Sequence, residues 1–336
     1  MSATAARPAA PRRRPAPPPP RRGEGGREGV RRSLLRALGI TAVLGVLGGG
    51  VWAGVQQVLP DGSTVLVERC TALADGVEHD LAPDQAGNAA LITAVAQQRG
   101  LPARAATIAL ATAVQESKLR NIAYGDRDSL GLFQQRPSQG WGTPEQVQDP
   151  LHSTGAFYDV LVQVDGYEDL PITDVAQRVQ RSGFPLAYAD HEPEGRAYAS
   201  ALTGYSPAAL TCRLRPVEGA QAQRPGEDGY WPRTAAVVQR LHAERGDGVP
   251  TTPVDDGADV VLGAGGTGPD AVREGWSLAH WAVAHAADLQ VVSVATEGRV
   301  WRREDPEAGW QPVEGEDAAL AAPPGAALVQ VAAGDG

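Results

Sequence analysis

The stretch AVQESKLRNIAYGDRDSLGLFQQRPSQGWG, residues 113–142, carries one carboxylate, Glu116, where an alanine-rich run gives way to a polar, glycine-punctuated loop. Read as a helix, residues 102–119 place Ala105, Ala109, Thr112 and Glu116 on one stripe, each three or four residues after the last. Every member before the glutamate is small, so a second helix can approach closely and shield one side of the carboxyl from water. Desolvation disfavours the charged form, which is what a carboxyl that must deliver a proton near neutrality requires. The competing reading is a surface glutamate in an exposed last turn, paired with Arg120 at i+4.

The loop beyond Glu116 is dense in neutral hydrogen-bond groups and aromatic faces. Ser117, Asn121, Tyr124 and Ser129 come first, then Gly131, Leu132, Phe133, Gln134 and Gln135, then Trp141. Tyr188 lies further along. Such a lining suits the hydroxyls, amides and apolar ring faces of a neutral sugar polymer. Asp126 and Asp128 are the candidate second carboxylates. Either could orient a water or stabilise a developing cation, and either could equally cap the loop or pair with Arg127.

Gln115-Glu116-Ser117, Asn121, then Ser129-x-Gly131-Leu132-Phe133-Gln134 and Pro137 resemble the Glu-Ser … Gly-Leu-Met-Gln … Pro pattern of the soluble lytic transglycosylase family, within the lysozyme-like superfamily. The longer string through Gln135-Arg136-Pro137-Ser138-Gln139-Gly140-Trp141-Gly142 resembles a secreted lysozyme-like group of high-GC Gram-positive bacteria. The resemblance spans roughly residues 85–210. It implies cleavage of the peptidoglycan strand between N-acetylmuramic acid and N-acetylglucosamine by one glutamic acid in two roles. Glu116 would protonate the glycosidic oxygen, then as carboxylate take the proton of the muramic acid's own C6 hydroxyl while that oxygen attacks C1, leaving a 1,6-anhydro ring. The pattern departs from the family in two places. Phe133 stands where methionine is usual, and the later tyrosine-asparagine motif has only Gln180-Arg181-Ser182-Gly183-Phe184-Pro185 with Tyr188 in its place. A muramidase-type hydrolase and a non-catalytic glycan-binding or scaffold module are the alternatives.

The elements that must hold Glu116 read as helical. Between Cys70 and Cys212, apolar runs at helical spacing predict helices over 88–98, 102–119, 150–164, 173–181 and 194–202, with no alternating strand. A mainly α, lysozyme-like domain over 59–213 is expected, its ends tied by a disulfide between the chain's only two cysteines. Residues 214–270 read as a Pro/Gly-rich linker with one short helix, 234–244. Residues 271–336 read as a small α+β domain: a helix over 276–289, strands over 291–296, 299–302 and 327–331, and a turn at Glu297-Gly298.

Charge and hydropathy set the expected location. Residues 1–36 hold ten arginines against Glu24 and Glu28, with a proline-rich run at 15–20, and read as a disordered basic cytoplasmic tail. Residues 37–55 carry no charge and approach the ~20 residues of a bilayer-spanning helix, exceeding the ~7–15 of a cleaved signal peptide's apolar core. A single transmembrane helix over 37–58 is therefore expected, with the N-terminus cytoplasmic and the catalytic domain extracellular. Taking the tail's +8 from the chain's −10 leaves the remainder at −18, which argues against nucleic acid as a ligand. Glycan strands are the expected partner.

Other signals are set aside. Gly263-Ala264-Gly265-Gly266-Thr267-Gly268 satisfies G-x-G-x-x-G but reads as a flexible linker, since Pro269-Asp270 follows instead of a helix start. The acidic ligands of a calcium loop are incomplete after Asp126-Arg127-Asp128. His280 and His285 are five apart and do not share a helix face. No metal or cofactor is expected. Trp276, Trp281, Trp301 and Trp310 could form a glycan-binding face, but their spacing favours core packing.

Overall fold

Asp75 and Gly76, both at positive φ, fold β1 (Arg69–Ala74) back onto β2 (Val77–Leu81) through a two-residue turn whose twist matches the strands it joins. β3 (Leu210–Arg213) pairs with the other edge of β1 and sets Cys212 directly opposite Cys70, where the two form a fully buried disulfide. The computed structural model describes residues 66–181, 186–315 and 321–334.

Among the described residues, six α-helices run between β2 and β3: α1 (Pro83–Gln98), α2 (Ala103–Ser117), α3 (Pro144–Gln148), α4 (Pro150–Leu161), α5 (Ile172–Gln180) and α6 (Glu192–Leu202). α2 and α6 pack against each other most closely. Gly195 makes this approach possible, because a Cβ there would lie 3.0 Å from the Ala111 nitrogen and the Thr107 oxygen. α7 (Pro232–Arg245) and α8 (Pro269–Ala284) come next, separated by the hairpin of β4 (Thr251–Val254) and β5 (Asp259–Leu262). β6 (Val291–Thr296), β7 (Arg299–Arg302), β8 (Trp310–Pro312) and β9 (Ala327–Val331) complete an antiparallel six-stranded sheet in the order β4-β5-β9-β6-β7-β8.

α8 is shared between the two halves. One side meets β6 and β9, and the other meets β3, α1 and α6. Val260, Val329, Val294 and Trp301, aligned across four strands, join it in a core that continues to Cys70. Indole N–H groups seal the junction: Trp301 donates to the Cys212 carbonyl at 3.1 Å and Trp310 to the Leu210 carbonyl at 2.8 Å. The four tryptophans are core residues, as their spacing favours.

The expected mainly α domain with a separate small α+β module is corrected by this arrangement. The described residues contain two antiparallel sheets, three strands bracket or precede the helical run expected to lack them, and the core runs unbroken from residue 70 to residue 331. The expected linker over 214–270 holds β4, α7 and β5. These strands are four residues long and flanked by Asp, Gly and Pro, so composition masks their alternation, and Pro253 is tolerated because β4 is an edge strand. A helix does open at Pro269, directly after the glycine run, with Gly268 as its N-cap. The glycines there serve packing: Gly266 donates to the Pro324 carbonyl, and a Cβ on Gly325 would clash with Gly266. Among the described residues no helix is long and apolar enough to cross a membrane. The basic tail and the apolar segment expected to span one lie outside the described residues.

Candidate active site

Glu116 is the penultimate residue of α2, and the small stripe behind it is wholly buried: Ala105, Ala109 and Thr112 are each 0% exposed. The helix ends abruptly. Lys118 and Leu119 both adopt left-handed backbone, with φ of 56° and 55°, and their N–H groups return to the Val114 and Ala113 carbonyls. Two consecutive non-glycine residues in this region are strained, and such strain persists only where neighbours hold it. Gln85 and Asn88 of α1 do so, donating to the Lys118 and Leu119 carbonyls at 2.6 and 2.7 Å. The sharp end also removes the i+4 geometry that would have brought Arg120 to Glu116. Arg120 faces Asp84 instead, at 3.5 Å.

The partners of Glu116 are neutral. Tyr188, fully buried in the turn before α6, donates its hydroxyl to Glu116 Oε1 at 2.6 Å. Gln180, the last residue of α5, hydrogen-bonds the same carboxyl while its Nε2 donates to the Phe133 carbonyl at 2.5 Å. Desolvation raises the pKa of Glu116 above the ordinary glutamate value, and the bonds from Tyr188 and Gln180 offset only part of that rise. Beside it, His191 meets Gln115 at 2.9 Å and is held below the usual histidine pKa by burial and by the Lys118 charge.

The loop after Glu116 divides into scaffold and accessible groups. Ser117 is buried and donates to the Leu132 carbonyl at 2.7 Å, fastening the loop to the end of α2. Leu132 and Phe133 are fully buried, and Phe133 stacks on Phe157 with ring centroids 4.6 Å apart, so neither lies in a cleft floor. Gln135, 1% exposed, donates to the Ser153 carbonyl, and Ser129 is likewise buried. Gly131 has a φ of 77°, and a Cβ there would sit 2.4 Å from the Val147 carbonyl oxygen, which excludes any other residue. Asn121 exchanges hydrogen bonds with Gln148. Gln134 donates to the Tyr124 and Gly131 carbonyls. Among the predicted lining residues, the side chains with surface open to a ligand are those of Asn121 and Tyr124, which are exposed, and of Gln134 and Trp141, which are half-buried.

The two aspartates are not alike. Asp128 accepts from the Ser138 N–H at 2.8 Å, the Ser138 hydroxyl at 3.0 Å and Arg136 at 3.0 Å, which together hold it far below the usual carboxylate range. It is a loop brace. Asp126 is exposed beside Arg127. Among the described residues no hydrogen bond links either one to Glu116.

A cleft of about 400 Å³ adjoins Glu116 through Gln180, between the 139–141 turn, α4 and the end of α5. Trp141, Gln139 and Arg181 line it with Gln180. Residues 182–185, part of the sequence pattern around Gln180, lie outside the described residues. Sequence reasoning named Tyr188 as a substrate-binding group and gave Gln180 no role. Their carboxyl contacts had no local signal, since each arrives from an element distant in sequence. No protein-family model matches the chain, and no curated protein matches it.

Proposed function

We propose that this protein is a lytic transglycosylase that cleaves peptidoglycan strands between N-acetylmuramic acid and N-acetylglucosamine, with Glu116 as acid and then base. The observation that carries this reading is the environment of Glu116: a half-buried carboxyl, its pKa raised by desolvation, whose hydrogen-bond partners among the described residues are the neutral donors Tyr188 and Gln180. A carboxyl so held keeps its proton closer to neutrality than an exposed one and can give it to a glycosidic oxygen. Once ionised, it retains two hydrogen-bond donors that steady the carboxylate while it accepts the C6 hydroxyl proton.

The one-carboxylate route also fits the neighbourhood. An ordinary retaining or inverting glycosidase needs a second carboxylate across the bond. Asp128 is committed to Ser138 and Arg136, and the exposed Asp126 carboxylate has an ion-pair contact with Arg127, at 3.9 Å, and no hydrogen bond to Glu116 among the described residues. The disulfide fits an oxidising compartment, where the cell wall lies.

The test is mass spectrometry of the fragments that the purified full chain releases from peptidoglycan, beside its Glu116→Gln variant. Ends in 1,6-anhydro-muramic acid, made only by the unaltered chain, are the expected result. Hydrated reducing ends would make it a hydrolase, and wall binding without release by either protein would make it a binding module.

A further inference from the structure

The cleft beside Glu116 holds a feature that cutting a neutral strand does not require. Arg181 follows the last residue of α5 in left-handed backbone, φ 52°, and is exposed in the same cleft as Gln180, the residue that bonds Glu116. Among the described residues no ion pair or side-chain hydrogen bond engages its guanidinium. It is a cation in a molecule whose residues beyond the basic tail sum to −18. Trp141 and Gln139 line the same cleft. The volume, about 400 Å³, falls in the ~300–1,000 Å³ range of small-ligand clefts. An aromatic face, amide groups and one guanidinium without an ion pair among the described residues together fit a sugar ring bearing an acidic substituent.

If the substrate is the peptidoglycan strand proposed above, on which this inference rests, every second sugar carries such a substituent, the lactyl ether of muramic acid. Its carboxylate is either free or consumed in an amide to the stem peptide. We propose that Arg181 reads the free lactyl carboxylate, with the ring laid against Trp141, so that the preferred substrate is glycan from which stem peptides have been removed. A guanidinium pairs with a carboxylate through two parallel N–H···O bonds, and an amide offers neither the charge nor the second oxygen. The class of reaction that supplies this substrate is hydrolysis of the lactyl amide, in which water adds across the C–N bond to give the carboxylate and the peptide's free amine.

The experiment measures binding to the full-length Glu116→Gln chain, which holds substrate without cutting it, using three tetrasaccharides: alternating N-acetylglucosamine and N-acetylmuramic acid with free lactyl groups, the same strand with peptide amides, and chitotetraose. A partly exposed ion pair predicts that the free-lactyl strand binds about fivefold tighter than either of the others. Adding Arg181→Gln should erase that preference while chitotetraose affinity stays as it was. Equal affinities, a preference for the peptide-bearing strand, or a preference that survives Arg181→Gln would each overturn the proposal. Equal affinities with release of anhydro ends by the unaltered chain leave the transglycosylase reading standing, whereas failure of all three strands to bind overturns both.

Discussion

Glu116 and Glu244 are each the penultimate residue of a long helix, α2 and α7, and each is withdrawn from solvent. Their partners differ. Glu116 meets the neutral donors Tyr188 and Gln180, whereas Glu244, 1% exposed, accepts from the Trp281 indole at 2.8 Å and faces His285 at 3.1 Å and Arg240 at 3.5 Å. Burial alone lowers a histidine's pKa, yet the Glu244 charge, with Asp288 3.6 Å away, raises that of His285 to about 9. Neutral donors leave a buried carboxyl able to hold a proton. A cationic partner converts it into a fixed ion pair that ties α7 to α8. The helix ends diverge in the same sense: α7 ends on Gly246, with a φ of 84°, while α2 ends on Lys118, forced into left-handed backbone at a cost glycine would avoid. Strain and a carboxyl with a raised pKa coincide at the end of α2, where the chemistry is proposed.

Substitutions at the two glutamates break this comparison most directly. Glu116→Gln should reduce fragment release by at least ~100-fold, the usual contribution of a general acid. Because the raised pKa means that the fold disfavours the carboxylate, the same variant should melt slightly higher at pH 7 and no differently near pH 4, as calorimetry would resolve. Glu244→Ala should do the reverse. Removing the carboxylate that His285 and the Trp281 indole both face, with Asp288 left as the remaining counter-charge, costs up to about 3–5 kcal/mol in denaturant titration, with activity per folded molecule retained.

The next effect is seen only as pH is varied. The His285 contribution is fully present below its unfolded pKa of about 6.5 and is lost as pH rises through about 9. Melting temperature should therefore fall from pH 7 to 9.5, and His285→Gln should flatten that fall. Tyr188→Phe removes a bond that favours the carboxylate, so the alkaline limb of the activity profile should move to higher pH, and the maximal rate should drop about tenfold or less with the loss of one hydrogen bond. The smallest effect sharpens the contrast between helix ends: Lys118→Gly should stabilise the protein by about 1 kcal/mol by relieving the left-handed backbone, measured by chemical denaturation.

The helical spans were legible because their apolar residues recur over many turns. The predicted 102–119 corresponds to Ala103–Ser117, and the predicted 173–181 to Ile172–Gln180. Three of the C-terminal strands also read correctly, since Val291–Thr296, Arg299–Arg302 and Ala327–Val331 are rich in β-branched or aromatic residues. β1 and β2 were missed although Asp75-Gly76 is a strong hairpin signal, because RCTALA and VEHDL carry little apolar alternation of their own. Within the site, the lining residues were named by type, but type does not distinguish a hydroxyl that faces a ligand from one that fastens a loop. Ser117 and Gln135 proved to be of the second kind.

The sequence by itself determined that a lone glutamate would cap a buried stripe of small residues, since helical periodicity is a local property of the chain. It determined the disulfide too, because two cysteines have one pairing. Only the tertiary structure decided what each ionisable group meets. Tyr188 reaches Glu116 from 72 residues away. His280 and His285, five apart along the chain, take opposite states: burial leaves His280 with a pKa of about 4 although the Ala201 carbonyl it meets pulls the other way, while Glu244 holds His285 near 9. Protonation is set by desolvation and by charges a few ångströms away through space, and neither distance is written in the order of residues along the chain.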